Sequence, residues 1–173
     1  FEVVQAKMGV PVMYTEFGAD AFNARDMRED QVMQARYLVG QWRELYEQSH
    51  GKGRVGNAIG GCTFQWSDGW WKYVQGRNNM NEEWWGICAK GPTDAQGHYE
   101  LYPRAAYYAL MDAYELDPYG PGTDLEAIRI HFGGIQPAVA KLQARGDAAA
   151  RVAEARQQVH LSGLRLEFET FST

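Results

Sequence analysis

Glu16 closes the run Val10-Pro11-Val12-Met13-Tyr14-Thr15, and Phe17-Gly18-Ala19-Asp20 follow it. A carboxylate delivered at the end of an apolar run can work as a nucleophile, acid or base. The same residue types would serve equally well to cap a following helix or to meet an arginine. A second run, Ala58-Ile59-Gly60-Gly61-Cys62-Thr63-Phe64-Gln65, closes on Trp66-Ser67-Asp68. Beyond it Trp70, Trp71, Tyr73, Trp84 and Trp85 stand among Gly, Asn and Asp with no sustained period up to Leu101. Sugars present C–H faces that stack on such rings and hydroxyls that take Asn, Asp and Gln, so this composition fits a glycan-contacting loop. The rings would also suit packing on one another over a site mouth.

Other chemistries find no motif. His50, His98, His131 and His160 lie far apart without ligand spacing, and Cys62 and Cys88 form no CxxC or Cys/His pattern, so no metal is expected. Both thiols read as buried and unpaired, with a bridge between them left open. A Gly-rich phosphate loop and a G-x-S-x-G elbow are missing, so no cofactor is expected.

The elements that must position Glu16 and Trp66 follow from periodicity. Phe1 to Met8 reads as the end of a helix stopped by Gly9. The first apolar run is short, rich in β-branched and aromatic residues and opened by a Pro, which predicts a strand. Asn23 or Asp26 would cap a long helix from Met27 to Ser49, with Val32, Ala35, Leu38, Val39, Trp42, Leu45 and Tyr46 on its buried face. Glu29, Asp30, Arg36, Arg43, Glu44 and Glu47 read as its solvated face. After Gly51-Lys52-Gly53, Val55 to Trp66 gives a second strand, whose Gly60-Gly61 pair permits close backbone approach. Strand, helix, strand is a parallel βαβ unit, with both strands ending on one rim.

The Thr15-Glu16-Phe17-Gly18 turn and the Gly60 to Asp68 strand about 45 residues later resemble the last two barrel strands of glycoside hydrolase family 2, which holds β-galactosidases, β-glucuronidases and β-mannosidases. The resemblance covers residues 1–119 and implies an α/β fold, the β7-α7-β8-α8 portion of a TIM (β/α)8 barrel. It implies retaining hydrolysis of β-glycosidic bonds with Glu16 as nucleophile, and a sugar subsite lined by Trp66. Asp68, Trp70, Trp71, Trp84 and Trp85 are the further substrate-contact candidates. The alternative is a non-catalytic carbohydrate-binding or structural segment. Asn81-Glu82 imitates the family's acid/base pair, but that pair ends an earlier strand, so Glu82 is not assigned the role. A full barrel typically takes about 250 residues; the rest of it, with the acid/base glutamate, is expected on the same polypeptide, and the chain alone is expected to be inactive.

Tyr102-Pro103-Arg104 opens a helix over Ala105 to Tyr114. Asp117-Pro118-Tyr119-Gly120-Pro121-Gly122 then places a domain boundary, with residues 120–173 read as a helical linker and the start of another module. Short helices are expected over Asp124–Phe132 and Pro137–Ala144, a third from Asp147 to near His160, and a strand over Leu164–Glu169. A net charge of −5 without a Lys/Arg stripe argues against nucleic acid, and no run approaches the roughly 18 apolar residues of a membrane span. The expected partner is a β-linked oligo- or polysaccharide, for which a secreted or periplasmic location is the natural setting.

Overall fold

A computed structural model describes residues 1–72, 81–134, 138, 151–155 and 157. The first helix, α1 (Glu2–Met8), ends where Gly9 takes φ 62°, a left-handed stop that a Cβ would strain. Strand β1 (Val12–Phe17) follows, then a small antiparallel ribbon of β2 (Phe22–Asn23) and β3 (Arg28–Glu29). Helix α2 (Gln31–Glu47) leads to β4 (Ala58–Thr63).

β1 and β4 pair in parallel, with Val12 opposite Ala58, Tyr14 opposite Gly61 and Phe17 opposite Thr63. The expected strand-helix-strand unit is therefore present, and its two strands run out at one rim. Gly61 is needed there because a Cβ would fall 2.5 Å from the Phe17 ring. Phe17 in turn meets Trp42 of α2 edge-on at 5.3 Å, so α2 covers one face of the pair.

The start of α2 differs from expectation. Asn23 and Asp26 do not cap it: the Asn23 side-chain oxygen accepts from the amides of Arg25 and Asp26, closing the turn between β2 and β3. Asp30 is the cap, accepting from the Met33 amide at 2.9 Å. The charged face is also less solvated than expected. Glu47 is only 4% exposed and gathers Arg54 at 2.6 Å, Arg129 at 3.3 Å and Arg43 at 3.7 Å.

Ser67 to Leu101 is not one long loop. After short 3-10 turns at Trp70–Lys72 and Asn81–Trp84, β5 (Cys88–Thr93) and β6 (Tyr99–Pro103) form an antiparallel hairpin around Asp94-Ala95-Gln96-Gly97. Helix α3 (Ala105–Ala113) begins one residue after Arg104, and α4 (Leu125–His131) is capped by Asp124.

The core lies between α2 and α3, where Ala35, Leu38 and Val39 face Ala105, Ala106, Ala109 and Leu110. Alanines let the two helices approach closely. Ile128 and Phe132 of the α4 region join the same core, beyond Asp117–Gly122 where a boundary is expected. The described residues thus form a mixed α/β fold with three two-stranded sheets, and no closed barrel is present among them. Cys88 is buried, which pushes its thiol up to about 11, whereas Cys62 is exposed rather than buried; both are free. Residues 138, 151–155 and 157 are helical. The remainder of the expected Pro137–Ala144 and Asp147–His160 helices, the Leu164–Glu169 strand and Tyr73 lie outside the described residues.

Candidate functional site

Glu16 is the next-to-last residue of β1, and its side chain is exposed. Among the described residues no side-chain hydrogen bond or ion pair reaches it, so it caps no described helix and meets no described arginine. The turn that follows is held tightly. The Phe64 amide donates to the Phe17 carbonyl at 2.7 Å, and a Cβ on Gly18 would stand 2.0 Å from the Phe64 carbonyl oxygen. No residue but glycine fits there. Two glutamines of α2, seven residues apart and so on one face, clamp the next two carbonyls. Gln41 Nε2 donates to Gly18 at 3.2 Å and Gln34 Nε2 to Ala19 at 3.1 Å.

Trp66 leaves the end of β4 on the same rim. It is 58% exposed and meets Tyr107 of α3 edge-on at 5.9 Å. Its backbone carbonyl accepts from the Cys88 amide at 2.9 Å, which fixes where the ring departs. Beside it runs a groove of about 370 Å³ lined by Thr63, Gln65, Trp66, Ile87, Tyr107, Leu110, Met111 and Tyr114. That volume is within the range of small-ligand sites.

The other predicted contact residues divide. Trp70 is 3% exposed and packs edge-on against Tyr99 at 5.8 Å, so it closes the hairpin instead of facing solvent. Trp84, half-buried, stacks on Phe22 at 5.4 Å, and Trp85, also half-buried, meets Phe64 at 5.9 Å. Trp71 is in the first 3-10 turn, and its side chain lies outside the described residues. Glu82 is tied to Lys72 at 2.7 Å.

Asp68 is only 1% exposed, with both carboxylate oxygens on Arg104 at 2.6 and 2.8 Å. Its oxygens face protein and leave no edge for a sugar hydroxyl, so its place is structural. The Gly86 amide also donates to it at 3.1 Å, and Arg104 reaches the Gly86 carbonyl and Glu29 as well, each at 2.6 Å. Burial pushes the Asp68 carboxyl up, while the Arg104 charge and hydrogen bonds oppose the shift. Burial alone would lower Arg104, but Asp68 and Glu29 outweigh it and raise it, keeping the guanidinium charged.

Arg104, Gln34 and Gln41 were not singled out by sequence. For Arg104 a signal exists: it is the sole charge between Leu101 and Leu110. A charge at the mouth of a buried helix must find a counter-charge. The glutamines carry no comparable mark, since a helix interior accepts Gln anywhere.

No group of three or more His, Cys, Asp or Glu among the described residues is placed to hold a metal ion, and no described helix is long and apolar enough to cross a membrane. Compared with known families, characterised proteins and solved structures, the chain finds no match.

Proposed function

We propose that this protein hydrolyses β-glycosidic bonds with retention, Glu16 being the nucleophile and Trp66 the floor of the subsite for the cleaved sugar. The observation that carries the reading is the parallel register of β1 and β4, which brings an exposed carboxylate, engaged by no described side chain, and an exposed indole to one rim. In α/β barrels the carboxyl ends of strands carry the chemistry. The finer fold belongs to the same proposal: β1, α2 and β4 stand as β7-α7-β8 of a (β/α)8 barrel, and further strands take the open edges.

In the first step a Glu16 oxygen bonds to the anomeric carbon as the glycosidic C–O bond breaks and the leaving oxygen takes a proton from a second carboxyl group. In the next, that group removes a proton from water, the water oxygen bonds to the anomeric carbon, and Glu16 is released. A retaining pair stands about 5–5.5 Å apart. Asp68 and Glu82 are engaged by Arg104 and Lys72, so the acid/base group is assigned to another strand of the barrel. The same engagement favours a second reading, a carbohydrate-binding segment that cleaves nothing.

A panel of 2,4-dinitrophenyl 2-deoxy-2-fluoro-β-glycosides separates the two on the intact protein. The dinitrophenolate leaves without protonation, so the attack on carbon is tested alone. The expected result is time-dependent labelling by one member of the panel, mapped to Glu16 by peptide mass and lost in Glu16→Gln. Labelling of no residue by any sugar would leave only the binding reading.

A further inference from the structure

Gln34 is fully buried in the first turns of α2, yet its side chain takes no part in capping or in the apolar core. Its Nε2 donates to two carbonyls at once, Ala19 at 3.1 Å and Gly86 at 3.0 Å. Ala19 stands three residues after Glu16. Gly86 stands beside the backbone of Trp66, because the Ile87 amide donates to Gln65 and the Cys88 amide to Trp66, each at 2.9 Å. One amide group therefore joins the segment that carries the carboxylate to the segment that fixes the indole.

The Gly86 end of this bridge is itself rigid. Its carbonyl also accepts from Arg104 and its amide donates to Asp68, and a Cβ at Gly86 would fall 2.3 Å from the Asp68 amide nitrogen. The Gln34 side-chain oxygen is buried with no hydrogen-bond partner among the described residues. Leaving a buried acceptor unpaired is costly, and an apolar side chain of the same size would avoid it. The donor is what this position needs.

We infer that Gln34 is a positioning residue that holds the turn after Glu16 and the loop beside Trp66 as one unit. The inference rests on the reading of Glu16 as nucleophile and Trp66 as its subsite. Attack on an anomeric carbon requires the carboxylate and the sugar-bearing ring in fixed relation, and a displacement of about 1 Å can cost on the order of 10²-fold in rate. Gln34 touches neither sugar nor carboxylate; it acts through the two backbones.

The test is Gln34→Met, which keeps an unbranched side chain of similar volume and removes the donor. Two readouts are taken on the intact protein: amide hydrogen exchange, and labelling by the fluoro-glycoside that modifies the parent. Exchange is expected to quicken together in residues 17–22 and 84–88, by up to about tenfold, while the β5–β6 turn at Asp94–Gly97 is unchanged. The maximal labelling rate is expected to fall on the order of 10²-fold, with the reagent's saturation constant unchanged; a merely structural role would not split the two. Quickening in one segment alone, or an unchanged labelling rate, overturns the inference. If Gln34→Met does not fold, the unmodified protein decides: a glycosyl group on Glu16 should slow exchange in both segments together, and slowing in 17–22 alone overturns the coupling. A parent that labels nowhere sinks the nucleophile reading, and the exchange arm still settles whether Gln34 couples the two segments.

Discussion

Glu16 and Arg104 illustrate how differently two charged side chains are placed around one rim. The Glu16 carboxylate is exposed and engages no described group, as an anion kept for a ligand would be. Arg104 is buried and shared among Asp68, which takes both terminal nitrogens, Glu29 and the Gly86 carbonyl, so one side chain ties together three segments. Removing one member of such a cluster leaves buried charge without a counter-charge, which typically costs about 3–5 kcal/mol. Arg104→Met is therefore expected to lower unfolding free energy by that order in a urea titration. A change below about 1 kcal/mol, the usual size for an exposed ion pair, would contradict the role assigned to it.

Helix α2 is the element on which the site depends, since it covers the β1–β4 pair, clamps the turn after Glu16 and meets α3 in the core. Its far end carries a measurable consequence. Burial alone would push the Glu47 carboxyl up, but the hydrogen bonds and charges of Arg54 and Arg129 outweigh it and leave it below its ordinary value of 4.5. A carboxyl that ionises more readily folded than unfolded adds stability above the unfolded pKa and loses it as pH falls through the folded one. Unfolding free energy should thus decline below about pH 4.5, and Glu47→Gln should flatten that part of the decline. An identical acid profile in the variant would show that the cluster contributes nothing.

Much of this element was legible in sequence, because the apolar spacing from Val32 to Tyr46 and the runs before Glu16 and Trp66 are local signals. Its cap was not. Asn23, Asp26 and Asp30 carry the same turn-and-cap chemistry, and only the two-residue ribbon of β2 and β3, formed across the turn, decides among them. Glu47 read as solvated because Arg129 lies 82 residues away in sequence. The β5–β6 hairpin was hidden by its tryptophan-rich surroundings, although Asp94-Ala95-Gln96-Gly97 is a turn signal. At the site, sequence gave Glu16 and Trp66 a shared rim, whereas Asp68 and Trp70 proved buried, which residue type alone does not reveal.

For the whole molecule the β1–β4 pair is the part to test, since no other described strand joins it. Parallel strands are normally covered on both faces, yet Met13 is 51% and Ile59 63% exposed, and no described strand pairs with either outer edge. Such edges invite pairing. Residues 1–173 alone are expected to associate with rising concentration in sedimentation velocity, and less so as Ile59→Lys; a monodisperse monomer would argue that the pair is complete as it stands. The central claim, that Glu16 attacks the sugar, is tested most directly by chemical rescue. In Glu16→Ala of the intact protein, azide would enter the space the carboxylate leaves and attack an activated β-glycoside from that face. The account predicts restored turnover and an α-glycosyl azide product. A β-glycosyl azide would instead make Glu16 the acid/base residue, and a variant as active as the parent without azide would remove it from the chemistry altogether.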